Sequence, residues 1–191
     1  AVALHAINQA GSLLGANVLI SGSGPIGALV LLSAKLAGAL SVTMTDIREG
    51  PLTIVNELGA SKTLNVSLGA SELIEEANPR GSFDIAFDAS GSESAVLTAI
   101  KNLRPGGSLI QIGTFAKPNI SVPADQLMVK ELTMKSSFRF DKEFSWAVDY
   151  LAKGRIDVLP LLTHTFPMED ANEAFRTASN REKAMKVHLT F

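Results

Sequence analysis

A glycine-rich turn between an apolar strand and an apolar helical segment constrains the fold of this chain more than any other feature. Val18–Ser21 predicts a buried strand, and Gly22, Gly24 and Gly27 follow it in a Gly-x-Gly-x-x-Gly pattern. In this order the first glycine permits a tight turn, the second permits close approach of a pyrophosphate, and the third permits tight helix packing. The unpaired N–H groups and the positive dipole end of the helix then favour an anion. The pattern predicts a dinucleotide-binding site.

An acidic residue follows at the spacing that such a site requires. Ser41–Asp46 predicts a second strand, and Asp46 lies 19 residues after Gly27. A carboxylate at this position accepts hydrogen bonds from the adenosine ribose hydroxyls and repels a 2′-phosphate, so it favours NAD over NADP. It also argues against a glycine-rich turn that binds no ligand. Arg48 leaves two interpretations open: a cation that partly accommodates a 2′-phosphate, or a solvated loop arginine.

Composition limits the other classes of function. At 191 residues, of which 46% are hydrophobic, the chain is long enough to bury a substantial core as one domain. A net charge of −2 with scattered basic residues gives no sign of a nucleic-acid partner. With no cysteine and three widely separated histidines, the sequence predicts neither a disulfide nor a metal site. The most apolar stretch, residues 26–42, is too short to span a bilayer, so we expect a cytoplasmic protein without a membrane partner.

Strands and helices alternate along the chain. The pattern predicts strands at Val18–Ser21, Ser41–Asp46, Lys62–Val66, Phe83–Asp88, Ser108–Gly113, Leu132–Ser136, Thr163–Phe166 and Lys186–Phe191. It predicts helices at Ala1–Ala10, Ile26–Ala37, Leu52–Leu58, Ser71–Ala77, Glu93–Leu103, Lys142–Ala152 and Met168–Ser179, and an irregular segment at Phe115–Gln126. This alternation indicates an α/β fold with a parallel, doubly wound Rossmann sheet that carries helices on both faces.

Ligands of such sheets bind outside the carboxyl ends of the strands. Four of the predicted strand ends run into Gly22–Gly27, Asp46, Ser90–Gly91 and Gly113–Thr114. We therefore expect these residues to lie along one edge of the sheet.

Further motifs extend the pattern over nearly the whole chain. They are the Gly-x-Gly-Pro-Ile-Gly run with Asp46, Phe83–Gly91, Leu103–Gly113, Ser137-Phe138-Arg139-Phe140, Leu159–Leu162, Thr165–Pro167 and Lys183–Phe191. With these motifs the chain resembles the zinc-containing medium-chain alcohol and polyol dehydrogenases. The resemblance implies that residues 1–191 form an NAD-binding Rossmann domain whose C-terminal helix and strand would return to a GroES-like catalytic domain. That domain, which holds the zinc in the family, has no counterpart here, so we expect a fragment that starts just past the last zinc-site residue and is inactive alone.

The resemblance also implies roles for individual residues. The residues implied to bind the cofactor are Gly22, Gly24, Pro25, Ile26 and Gly27 at the pyrophosphate, Asp46 and Arg48 at the ribose, and Gly91, Ile112, Gly113, Thr114, Ser137, Phe138 and Arg139 beyond them. Arg139 and Phe140 are implied near the substrate. Two interpretations of Arg139 stay open: a bidentate partner for a sugar-acid carboxylate, or a structural or cofactor-phosphate contact. The sequence departs from sorbitol-type enzymes at Pro51, where they carry an arginine, and at Phe140, which lacks the hydroxyl of their tyrosine.

The implied reaction is the NAD-dependent oxidation of a secondary alcohol of a sugar acid or polyol. Zinc in the absent domain would act as the Lewis acid, while this chain would orient the nicotinamide. The family further implies a homodimer or homotetramer, joined through the strand that matches Leu132–Ser136. Two other classes remain as alternatives: a stand-alone module that binds or senses NAD(H), and another Rossmann enzyme such as a methyltransferase. The position of Asp46 and the C-terminal tail fit a methyltransferase less well.

Overall fold

A computed structural model describes residues 1–67 and 81–191, and shows strands and helices in alternation. Its strands are β1 Asn17–Ser21, β2 Ser41–Asp46, β3 Lys62–Asn65, β4 Phe83–Asp88, β5 Leu103–Gln111, β6 Thr133–Ser136, β7 Leu162–Pro167 and β8 Lys186–Thr190. Its helices are α1 Val2–Ala10, α2 Pro25–Leu36, α3 Glu49–Glu57, α4 Glu93–Asn102, α5 Ala124–Val129, α6 Glu143–Ala152 and α7 Ala171–Ser179. The helix predicted at Ser71–Ala77 lies outside the described residues.

Six strands form one parallel sheet in the order β3-β2-β1-β4-β5-β6, and this confirms the predicted doubly wound Rossmann sheet. β1 is the central strand, because Val18 pairs with Val42 of β2 on one side and with Ile85 of β4 on the other. The chain runs outward from β1 through β2 and β3, and then returns to β1 to run outward in the opposite direction. The strand order therefore reverses between β1 and β4, where doubly wound sheets open a crevice.

The apolar run of β1 is continuous because both faces of the sheet are covered. Val18 and Ile20 join a core cluster with α1, α2 and α3, whereas Leu19 joins a second cluster with α4. Successive side chains of a strand point to opposite faces, so α2 and α4 lie on opposite faces of the sheet. Each face places the start of one helix beside the crevice.

The start of β5 differs most from its predicted position, at Leu103 instead of Ser108. The Pro105-Gly106-Gly107 turn signal, predicted to separate a helix from a strand at Ser108, lies inside β5. Leu103 is fully buried and already pairs with Phe83, and the register then shifts before Ser108 pairs with Ile85. Pairing with β4 thus overrides the local turn signal, and the shift in register accommodates the Pro-Gly-Gly sequence within the strand.

Part of the segment predicted to be irregular forms α5. This helix has six residues, and none of them is buried. A helix of six residues is too short to show a helical period in the sequence, although Leu127 packs against the core.

The C-terminal segment forms a small second layer. β7 and β8 pair in parallel, and α7 connects them. Leu161 and Met185, which directly precede β7 and β8, are buried in the same core cluster as β1 and α2. The segment is therefore packed onto the main sheet. Within the described ranges, no helix combines the length and the apolarity needed to cross a membrane.

Candidate functional site

In the turn between β1 and α2, each glycine is suited to its position for a different structural reason. Gly22 has a positive φ of 96° and donates its N–H to the Thr45 carbonyl of β2 at 2.8 Å. A Cβ atom on Gly27 would overlap the Gly22 carbonyl oxygen, so the helix can approach the turn only without a side chain there. A Cβ on Gly24 would meet nothing within 4 Å. Gly22 and Gly27 are therefore required by the fold, whereas Gly24 faces open space at the N-cap of α2.

Asp46, the last residue of β2, connects the glycine turn to the start of α3. Its Oδ2 accepts the N–H of Ser23 at 2.7 Å, and its Oδ1 accepts the N–H of Arg48 at 3.0 Å. These two bonds fix the carboxylate beside the turn. A carboxylate has about four acceptor positions, so both oxygens keep capacity for a ligand hydroxyl.

A cavity of about 750 Å³ opens beyond the carboxyl ends of β1, β2 and β4, at the reversal of strand order. The predicted cofactor residues that line it are Gly22, Gly24, Pro25, Ile26, Gly27, Asp46 and Arg48. These residues lie at or just after the carboxyl ends of β1 and β2, which are neighbours in the sheet. The structure thus brings together the residues that the glycine and acidic patterns selected.

The cavity is also lined by residues that the sequence interpretation did not select. From α4 and the loop before it come Ser92, Ser94, Ala95 and Thr98, and from the C-terminal segment come Ala178, Arg181, Ala184 and Met185. The small and polar residues at 94, 95 and 98 share one face of α4, and that spacing is a signal that could have found them. No local signal marks the C-terminal residues, since only the packing of the segment brings them to the cavity.

Asp88 at the end of β4 is fully buried and organises the adjoining loops. Its Oδ1 accepts the N–H of Ser90 at 3.1 Å and the Ser90 hydroxyl at 2.5 Å, and its Oδ2 accepts the N–H of Gly91 at 3.0 Å. The Gln111 amide also donates to Oδ2, at 2.5 Å, and to the Gly113 carbonyl at 2.8 Å. One carboxylate therefore holds the loops that follow β4 and β5.

These two loops touch through their backbones. A Cβ on Gly91 would overlap the Thr114 carbonyl oxygen, and a Cβ on Gly113 would overlap the Gly91 backbone nitrogen. Both glycines are thus required by packing, whether or not a ligand binds. Gly91, Ile112, Gly113 and Thr114 follow strand ends on the same edge as the cavity, but they do not line it.

Ser137-Phe138-Arg139-Phe140 follows β6 on that edge and also lies outside the cavity lining. The N–H of Ser137 donates to the Gln111 carbonyl at 2.8 Å, which places the segment beside β5. Arg139 has a positive φ of 58°, and its Cζ lies 5.3 Å from the ring centroid of Phe138. The Phe140 ring stacks on Phe144 at 5.6 Å. The structure thus divides the predicted residues into seven that line one cavity and a neighbouring set along the edge.

The described residues offer no metal site. Within residues 1–67 and 81–191, no group of three or more His, Cys, Asp and Glu side chains is arranged to hold a metal ion.

Comparisons with known proteins agree with this geometry. The family model of zinc-binding dehydrogenases matches residues 25–153. L-Idonate 5-dehydrogenase (NAD(P)(+)) of Escherichia coli (strain K12) is 38% identical over 191 residues, which cover 100% of this chain and 55% of that protein. Sorbitol dehydrogenase of Gallus gallus is 33% identical over 194 residues, which cover 98% of this chain and 53% of that protein.

A solved structure shows the same similarity. The crystal structure of an L-idonate 5-dehydrogenase from E. coli K-12 substr. MG1655 matches with a TM-score of 0.91 at 38% identity, covering 100% of this chain and 54% of the other. The chain spans about half the length of the curated relatives that it matches.

Proposed function

This chain belongs to the zinc-binding dehydrogenase family, and from that premise we propose that it binds NAD for an alcohol dehydrogenase acting on sugar acids or polyols. The observation that carries the proposal is the position of Gly24. Its missing side chain faces the cavity at the N-cap of α2, and Asp46 lines the same cavity. Without a side chain at this position, a pyrophosphate can come close enough to accept hydrogen bonds from backbone N–H groups. A nearby carboxylate can accept hydrogen bonds from ribose hydroxyls.

The residues present fit the whole adenosine half of the cofactor. The N–H groups of the first turn of α2 would bind the pyrophosphate, with Ile26 packed against the cofactor. Asp46 would accept hydrogen bonds from the ribose. Ile47 and Val66 supply apolar lining near Asp46, where the adenine ring would lie. These groups bind and orient the cofactor, and they do not touch the bonds that change in the reaction.

The bound nicotinamide supplies the hydride acceptor, and the edge beyond the cavity would hold it. We propose that Gly91, Ile112, Gly113, Thr114, Ser137 and Phe138 form this part of the site. The contact between the loops after β4 and β5 and the hydrogen bond from Ser137 to β5 support the proposal, because they hold these backbones together along the edge. A rigid edge would restrict the orientation of the nicotinamide ring.

The described residues do not fit a zinc ion, because no three His, Cys, Asp or Glu side chains among them are grouped to hold one. We propose that residues 1–191 are the cofactor domain with its C-terminal segment, and that the zinc ligands of the enzyme lie outside this sequence. The cited relatives are about twice as long as this chain, which supports the proposal. We expect the 191-residue chain to bind NAD but to reduce none of it with L-idonate and zinc. Measurable zinc-dependent turnover would contradict this division of roles.

Arg139 is the residue that we propose for binding a sugar-acid carboxylate. It is exposed, its guanidinium stacks on Phe138, and it forms no ion pair in the part of the chain that the structure describes. A guanidinium can bind a carboxylate with two parallel hydrogen bonds. The competing proposal is a contact with the cofactor phosphates. In the whole enzyme, Arg139→Ala should raise KM for the sugar acid and leave KM for NAD unchanged, whereas the reverse would favour the phosphate contact.

Calorimetric titration of the purified protein with NAD tests the proposed binding. Wild type should bind, and Gly24→Val should abolish binding because the side chain would fill the pyrophosphate approach. Gly24 has a φ of −66°, which valine tolerates, so the variant should fold, with a melting temperature slightly below that of wild type because valine is a poorer N-cap than glycine. Unchanged affinity in a folded Gly24→Val variant would remove the phosphate assignment.

The variant Asp46→Ala tests the ribose contact in the same calorimetric experiment. Loss of the ribose acceptor should weaken NAD binding by about tenfold or more and relax discrimination against NADP. Asp125→Ala is the matched control, because Asp125 is exposed on α5 and does not line the cavity. Equal affinities of wild type and Asp46→Ala for NAD would refute the ribose role.

A further inference from the structure

We propose that Arg181, in the C-terminal segment, binds the 2′-phosphate of an adenosine nucleotide together with Arg48, so that the cavity accepts NADP as well as NAD. The inference rests on the proposed function, because it concerns the same cavity. It adds a specificity residue that lies more than 130 positions beyond the ribose carboxylate in the sequence.

The charged residues that line the cavity favour the binding of an anion. Three lining residues are charged: Asp46, Arg48 and Arg181. Across residues 1–67 and 81–191, neither guanidinium forms an ion pair or a side-chain hydrogen bond. The cavity therefore has two arginines that remain available to an anion. Guanidinium groups bind phosphates with charge-assisted, frequently bidentate hydrogen bonds.

The packing of the C-terminal segment places both arginines at the same end of the cavity. The Glu182 carboxylate accepts the N–H of Gly50 at 2.7 Å, and its main chain lies so close that a side chain on Gly50 would overlap it. Gly50 is two residues after Arg48, and Arg181 directly precedes Glu182. The two arginines therefore flank the carboxyl end of β2, where the ribose of the proposed NAD site would lie.

Asp46 does not exclude a phosphate from this end. Its two oxygens accept the N–H groups of Ser23 and Arg48, and these donors partly offset the negative charge. The remaining acceptor capacity suits the ribose hydroxyls of NAD. For NADP, two cations would face one carboxylate and one phosphate. The neighbouring carboxylates of Glu49 and Glu182 lie outside the lining and accept hydrogen bonds from Asn65 and Gly50.

Arg181 has no structural role that would complicate a substitution. Its side chain is exposed and, among residues 1–67 and 81–191, forms no hydrogen bond or ion pair that would hold the segment in place. The attachment of the segment depends instead on Met185, which is buried, and on Glu182. Replacement of Arg181 should therefore leave the fold and the cavity intact.

The test compares ligands with and without a 2′-phosphate. Calorimetry would measure the affinities of wild type and Arg181→Ala for NADP and NAD, and for adenosine 2′,5′-bisphosphate and 5′-AMP. Arg181→Ala should weaken the two 2′-phosphate ligands by about tenfold to a hundredfold and leave the other two unchanged. Arg176→Ala is the matched control, because Arg176 is an exposed arginine of α7 that pairs with Glu173 and does not line the cavity.

Each other outcome overturns the inference in a recognisable way. If Arg181→Ala lost equal affinity for NAD and NADP, Arg181 would contact the pyrophosphate. If it lost affinity for neither, Arg181 would not belong to the site. A wild type that binds NAD but not adenosine 2′,5′-bisphosphate would overturn the inference while the proposed function stands. A wild type that binds no nucleotide would overturn the proposed function itself. Should Arg181→Ala not fold, Arg181→Lys keeps the charge and should lose only part of the affinity for the 2′-phosphate ligands.

Discussion

Gly24 and Gly27 belong to the same turn, yet of these two the fold requires a glycine only at residue 27. A Cβ on Gly27 would overlap the Gly22 carbonyl, whereas a Cβ on Gly24 would meet no atom within 4 Å. Gly27→Ala should therefore destabilise the protein by about 1–3 kcal/mol or more, because the turn and α2 must separate. Gly24→Ala is the matched control and should destabilise the protein less, because a Cβ at residue 24 meets no atom and only part of the N-cap preference is lost. Urea unfolding measures both, and equal midpoints for the two variants would contradict this division.

Asp88 provides a prediction about a buried carboxylate. Asp88→Asn puts an NH₂ group where only donors surround the side chain, so at least one buried donor loses its acceptor. We expect a loss of about 1–3 kcal/mol in the free energy of unfolding, together with weaker NAD binding, because Ala89 and Ser90 of the attached loop line the cavity. Asp149→Asn, on the exposed side of α6, should change stability by less than about 0.5 kcal/mol. An Asp88→Asn variant as stable as wild type would show that the loops are held by other contacts.

At the scale of elements, a buried glutamate connects α1 with α6. Glu143 begins α6 and is only 1% exposed. Its Oε1 accepts the Asn8 amide at 2.8 Å, and its Oε2 accepts the N–H of Asp141 at 3.0 Å. His5 Nδ1 of α1 lies 3.1 Å from Oε2. Two helices that are far apart in the sequence therefore share one carboxylate.

This network predicts how stability depends on pH. Burial raises the pKa of Glu143, but the hydrogen bonds that its carboxylate accepts outweigh burial and lower the pKa from 4.5 to about 2. A depressed folded-state pKa contributes stability that is present above the unfolded value and is lost as pH falls. The free energy of unfolding should thus decrease between pH 4.5 and about 2, and Glu143→Gln should flatten this part of the profile.

The control for that profile is Glu57→Gln, because Glu57 is exposed at the end of α3. Urea unfolding at several pH values would compare the slopes. An acid slope that is the same in wild type and in Glu143→Gln would show that other carboxylates account for the loss of stability.

The elements that the sequence predicted well are those with strong local patterns. β2 and β4 match their predicted bounds because each is a short run rich in residues that favour strands and each ends in aspartate. The start of β5 was wrong, because pairing of Leu103 with β4 overrides a Pro-Gly-Gly signal. The same distinction holds for the site: the glycine turn and Asp46 are local patterns, whereas Arg181 reaches the cavity only through tertiary packing. A single sequence contains no local trace of that packing.

For the molecule as a whole, the cavity joins two parts that are distant in the sequence. The main sheet supplies the glycine turn and Asp46, and the C-terminal segment supplies Arg181 and Met185. Met185 is also buried in the core cluster that includes Val18 and Ile20. A ligand in this cavity would therefore contact the central strand ends and the segment packed over them, and would stabilise both against unfolding.

This arrangement predicts a thermal shift with a defined size. A ligand that binds only the folded state at a hundred times its Kd stabilises it by about 2.7 kcal/mol. For a domain of this size each kcal/mol raises Tm by about 2–4 °C, so NAD should raise Tm by about 5–10 °C. NAD should not raise the Tm of Gly24→Val above the Tm of that variant without ligand. A shift that persists in the variant would mean that NAD binds outside the glycine turn, because the valine fills only the approach at residue 24 and leaves the rest of the surface unchanged.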